Sequence, residues 1–144
     1  MDQRKLDSDS SGPIILVACS GLKLGVPAPA ADLYVSALFK KARTYAERRG
    51  RWFILSALHG LLEPSAIIAP YDVTLKKLSA QLRREWGQKV RGQMAVEGLI
   101  GQPLVALAGR DYVKPLTDAG LNVAQPMKGL GIGMQLQWLK KENG

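Results

Sequence analysis

The chain reads as one α/β domain: a mostly parallel sheet of about four strands with helices on both faces. Three observations predict it. Short continuous apolar runs alternate with longer stretches of helical periodicity. The 144 residues, 47% of them hydrophobic, suffice for one core of ordinary size. No run approaches the roughly 20 apolar residues of a membrane span.

Taken in order, the first ten residues are polar, and residues 1–12 are expected to form a disordered tail ahead of a domain over 13–144. After Pro13, residues 14–19 (Ile-Ile-Leu-Val-Ala-Cys) are continuously apolar, as in a parallel strand covered on both faces. Asp32 is the candidate N-cap of a helix whose buried stripe is Leu33, Leu38, Phe39, Ala42, Tyr45 and Ala46, and Gly50 ends it. Residues 52–55 form a second strand. Ser79 is the candidate cap of a long helix carrying Leu82, Trp86, Val90, Met94 and Val96 to about Gly98. Residues 103–108 give a third strand, 111–119 a short helix, and 121–124 a short fourth strand. A C-terminal helix over 131–141 carries Met134, Leu136, Trp138 and Leu139 as core candidates.

Composition narrows the function classes. The single Cys19 makes no intramolecular disulfide, and no Cys/His cluster has zinc-type spacing, so neither a metal nor another cofactor is expected and a reducing cytoplasm is the expected location. Twenty Lys and Arg against 12 Asp and Glu leave a net charge of +8, a field that favours polyanions. The cations come in groups: Lys40, Lys41 and Arg43; Arg48, Arg49 and Arg51; Lys76 and Lys77; Arg83 and Arg84; Lys89 and Arg91. The expected partner is nucleic acid, DNA before RNA. No helix pairs a basic face with a large exposed aromatic one, so no membrane partner is expected.

In a parallel sheet all strand C-termini lie along one edge, where the loops leaving them converge. Here these loops are Cys19-Ser20-Gly21-Leu22-Lys23, Ser56-Ala57-Leu58-His59, Gly109-Arg110-Asp111-Tyr112, and the glycine-rich segment from Gln125 to Gly133. Together they hold thiol, hydroxyl, imidazole, guanidinium and amine groups, more chemistry than turning requires. Ser20 and Lys23 suit a phosphate, as does the Gly129-Leu130-Gly131 turn before a helix. Arg110 beside Tyr112 suits a phosphate clamp next to a stacking platform. His59 is the only histidine. Asp72, after Pro70-Tyr71, could activate water or fix His59 by a hydrogen bond, and Glu63 is a further acid nearby. Cys19, ending a buried strand, reads as an inert apolar thiol.

The segment Ile54-Leu55-Ser56-Ala57-Leu58-His59-Gly60-Leu61-Leu62-Glu63-Pro64, with Pro70-Tyr71-Asp72, resembles the central motif of the YaaA-like family, associated with peroxide stress and DNA binding. The match is better to a related family of small bacterial and phage domains of unknown function. Ala18-Cys19-Ser20 with Lys23, Asp32-Leu33-Tyr34 with Ser36, Gly109-Arg110-Asp111-Tyr112 and Gly129-Leu130 extend that similarity over most of residues 14–139. The layout also looks distantly like the uracil-DNA-glycosylase-like group. The resemblance implies a nucleic-acid-linked role, and a glycosylase-like enzyme working at a nucleobase or its N-glycosidic bond, in damaged or modified DNA, is the leading expectation. In it the catalytic set is His59, Asp72 and Lys23: Asp72 activates water or stabilises an oxocarbenium ion, His59 meets charge on the leaving base, and Lys23 is the amine of a lyase variant. Tyr34, Tyr71 or Tyr112 stacks on the base, Lys23, Arg110 and Lys128 hold phosphates, and Ser20, Ser56, Gly129 and Gln135 complete the binding set. The alternatives are a non-catalytic DNA-binding protein and a site for a free nucleotide or nucleoside. All readings require these residues to meet in one cavity.

Overall fold

The computed structural model describes residues 12–144, so the expected tail lies, except for Gly12, outside the described residues. A five-stranded mixed sheet forms the centre, ordered β4-β3-β1-β6-β7. Its strands are β1 (Ile14–Ala18), β3 (Trp52–Ser56), β4 (Gly60–Leu62), β6 (Leu104–Leu107) and β7 (Val123–Ala124). All neighbours run parallel except β4, which folds back antiparallel on β3. Among the described residues five α-helices surround the sheet: α1 (Ala30–Leu33), α2 (Ala37–Arg49), α3 (Ala80–Val96), α4 (Arg110–Asp118) and α5 (Ile132–Asn143).

The pleat of β1 shows why helices cover both faces. Ile15 and Val17 face a core built with Phe39, Ala42, Ala46 and Leu139 of α2 and α5, whereas Ile14 and Leu16 face one built with Trp86, Val90, Met94 and Leu116 of α3 and α4. Each such aliphatic side chain contributes about 1.5–3 kcal/mol when fully buried. On the second face α3 and α4 come very close. Gly87 of α3 lies against Pro115 of α4, where a Cβ would stand 2.3 Å from the Pro115 carbonyl oxygen.

Two expectations need correction. The first helix does not start at Asp32. Ala30–Leu33 forms a single turn, the chain then runs extended, and α2 begins after Ser36, whose Oγ accepts the Phe39 amide at 3.1 Å. Non-local pairing causes the break: Leu24 N–H donates to the Leu33 carbonyl, Val35 N–H donates to the Leu22 carbonyl, and Lys23 bridges Tyr34. Asp32 instead pairs with Arg43 at 2.7 Å. The second correction concerns strict strand-helix alternation. β3 turns straight into β4 through residues 57–59, with Gly60 at φ +76° in the left-handed conformation that such three-residue hairpin turns need. A separate antiparallel ribbon, β2 (Ala28–Pro29) with β5 (Ile67–Ile68), holds the segment that leads to Tyr71.

Ser79 caps α3 as expected, accepting the Leu82 amide at 3.1 Å. Leu82 and Val96, expected in the core, are exposed, as is Met134 of α5. Among the described residues no helix is long and apolar enough to cross a membrane.

Candidate functional site

The C-terminal edge of the sheet gathers the predicted residues into two neighbouring groups rather than one. The first group is a chain of hydroxyls. Ser56 ends β3 with no exposed surface, and its Oγ accepts the His59 amide at 3.0 Å and lies 2.7 Å from the Tyr71 hydroxyl. That hydroxyl lies 2.6 Å from the hydroxyl of Tyr34, itself buried. Burial pushes the Tyr34 phenol up to about 12, and burial, with the Cys19 sulfur next in weight, raises Tyr71. Both phenols therefore remain protonated near neutrality. The Lys23 ammonium sits over the Tyr71 ring, 4.5 Å from its centroid, and the His59 imidazole meets the same ring edge-on at 5.4 Å.

Helix α3 fixes the turn that carries His59. Trp86 Nε1 donates to the Ser56 carbonyl at 2.9 Å, Lys89 Nζ to the Leu58 carbonyl at 3.1 Å, and Gln93 Nε2 to the His59 carbonyl at 3.0 Å. Gln93 Oε1 in turn accepts the Leu61 amide at 2.8 Å. Burial first, and the nearby Lys89 charge second, lower the His59 pKa, so its ring is neutral at neutral pH.

The second group surrounds a hollow of about 480 Å³ between the ends of β1 and β6. Its walls include Cys19, Ser20, Ser36, Lys76, Asp111, Tyr112 and Gln135. Cys19 Sγ lies 3.1 Å from the Tyr112 hydroxyl, whose pKa is raised by burial and then by the Cys19 sulfur. The two helices that open onto the hollow, α4 and α5, begin after Gly109 and Gly131, which supply no side-chain cap. Their first amides add partial positive charge at the rim. A groove of about 350 Å³ between α3 and α4 is lined by Arg83, Arg84, Arg110 and Lys114. Another, of about 540 Å³, is lined by Arg110, Lys114, Lys128, Gly129 and Gln135. The hollow shares Asp111 with the first groove and Ala108, Gly109, Met127 and Gln135 with the second.

The single cavity that the sequence reading required is thus divided. Arg110, Lys128, Gly129 and Gln135 lie at the grooves, and Ser20, Tyr112 and Gln135 at the hollow. His59, Lys23, Tyr34, Ser56 and Tyr71 form the hydroxyl cluster and line none of the three. Tyr34 is only 1% exposed and the Lys23 ammonium lies over one face of Tyr71, whereas Tyr112 alone of the three tyrosines lines the hollow. Asp72 is exposed, and none of the described hydrogen bonds or ion pairs joins it to His59. Lys76, Arg83 and Arg84, which the sequence offered only as members of cation groups, enter the hollow and the first groove, whereas Ser36, Asp111 and Lys114 had no site role assigned to them. A signal existed for the last two: Asp111 lies within the quoted third loop, and Lys114 follows Arg110 by one helical turn.

Among the described residues no cluster of three or more His, Cys, Asp or Glu could hold a metal ion. Fold and site together define a small α/β domain with a hollow of mixed polar and apolar lining at the sheet's C-terminal edge and cationic grooves beside it. The chain belongs to the "Family of unknown function (DUF6884)", whose model matches residues 14–141. No curated protein and no solved structure matches the chain, so the wider YaaA-like resemblance gains no support from relatives.

Proposed function

We propose that the chain acts on nucleic acid, with DNA as the first candidate, by taking one nucleobase into the hollow while the flanking grooves grip adjacent phosphates. The observation that carries this reading is the sequence of surfaces around α4, where a hollow of mixed polar and apolar lining adjoins two cationic grooves that share Arg110 and Lys114. A hollow of about 480 Å³ lies within the roughly 300–1,000 Å³ of small-ligand sites. Five cations, Arg83, Arg84, Arg110, Lys114 and Lys128, line the grooves, and of the carboxylates there Asp118 is already paired with Lys114 at 2.9 Å. Fluorescence anisotropy with a labelled oligonucleotide over a salt series tests the reading. Affinity should fall with salt, and Arg110→Ala should flatten the log-log slope by about one, the loss of one phosphate contact. Absence of binding, or binding indifferent to salt, would refute it.

A second reading, hydrolysis of the N-glycosidic bond, is favoured by Asp111 on the wall of the hollow beside Tyr112. A carboxylate there can activate the water that attacks the sugar carbon as the base departs with a proton. Asp111 takes the role that the sequence suggested for Asp72. Incubation with heterogeneous modified DNA and mass spectrometry of freed bases tests this: Asp111→Asn should abolish release and keep binding, whereas Asp72→Asn should change neither.

A further inference from the structure

Resting on the nucleic-acid reading, we infer that the substrate is base-paired, and that Ile132 is the wedge filling the gap in the stack when one base enters the hollow. Exposed apolar side chains scattered singly are ordinary, so position carries the argument. Ile132 is 66% exposed although it forms part of the wall of the hollow, where the apolar Val17, Phe39, Ala42 and Leu107 are buried. It is the first residue of α5, between Gly131 and Gly133, and a Cβ at either glycine would meet nothing within 4 Å. With no side chain on either flanking residue, nothing next to it in sequence covers the branched side chain. The preceding segment, through Lys128, Gly129 and Leu130, lines the cationic groove that would carry the backbone.

A base can leave a duplex only if its stacking is replaced. Proteins that kink or open duplexes insert Ile, Leu, Met or Phe between base steps for that purpose, and extrusion from a paired stack costs more than capture of a base that is already free. A single strand entering the same hollow has no gap to fill. Duplex and single-strand binding should therefore respond differently to loss of this side chain.

The test compares a short DNA duplex bearing one mismatch opposite 2-aminopurine with the 2-aminopurine strand alone. It uses the wild-type chain, Ile132→Ala, Ile132→Leu, and Val96→Ala as a control at an exposed valine on the far end of α3. For Ile132→Ala, duplex affinity should drop about tenfold, the size of one unfilled stacking step, with loss of the 2-aminopurine fluorescence rise, while single-strand affinity stays within about twofold. Ile132→Leu should restore both signals, and Val96→Ala should change nothing. Equal effects of Ile132→Ala on both probes, no effect on either, or wild-type binding to the single strand alone would overturn the wedge and leave the nucleic-acid reading standing. Binding to neither probe would overturn both.

Discussion

Replacing Gly87 by alanine sets two known effects against each other. In a helix interior alanine is favoured over glycine by about 1 kcal/mol. Against this, the new Cβ would lie 2.3 Å from the Pro115 carbonyl oxygen and 2.8 Å from its carbon, so α4 must retreat by about 0.7 Å to reach even a 3.0 Å contact. The obstacle is backbone, which cannot swing aside like the tip of a long side chain. Its cost should sit at the upper end of the overpacking range, about 3 kcal/mol. The net loss is then about 2 kcal/mol, which for a domain of this size lowers Tm by about 4–8 °C. Gly92 in the same helix is the matched control, since a Cβ there meets nothing within 4 Å and only the propensity gain remains. Thermal unfolding followed by circular dichroism should show Gly87→Ala below and Gly92→Ala at or above the wild type. A Gly87→Ala variant as stable as the wild type would refute the claim that α3 and α4 meet there without slack.

Two further expectations concern a helix start and a titration. Ser36→Ala should cost about 1 kcal/mol in chemical denaturation through loss of the α2 cap, and Asp32→Ala less, because its ion pair with Arg43 is partly exposed; the reverse order would restore the helix start to Asp32. His59 has a folded pKa below its unfolded value, so the unfolded chain binds more protons between the two. Stability is therefore full above about pH 6.5 and declines as pH falls from there through the lowered pKa, and His59→Gln should flatten that part of the stability-pH curve.

The strands β1, β3 and β6 were legible because each is a continuous apolar run bounded by breakers, the pattern a doubly covered strand imposes. Ser79 was legible because a hydroxyl immediately preceded a helical stripe. Asp32 looked equally good in isolation. Its helix fails after one turn because residues 33–35 pair with residues 22–24, an interaction that no window along the chain contains. The strand β4 was missed for a related reason, since three residues after a tight turn are too few to display a period of two. Convergence of the loops at one edge followed from the parallel sheet itself. Which side chains share a wall did not, because that depends on the angle at which each helix leaves the edge. Hence Asp111 entered the hollow whereas Asp72 stayed outside, and two of the three tyrosines that looked like platforms, Tyr34 and Tyr71, became a chain of hydroxyls with Ser56.

The two outer strands of the central sheet are blunted by different means. On one side β7 is only two residues long, too brief a template for another chain to follow. On the other, the primary amide of Gln93 accepts the Leu61 amide of β4 and donates to the His59 carbonyl just before that strand, as an adjoining peptide group would. A single glutamine thus impersonates a sixth strand, and a foreign extended segment would have to evict it before it could zip onto that border.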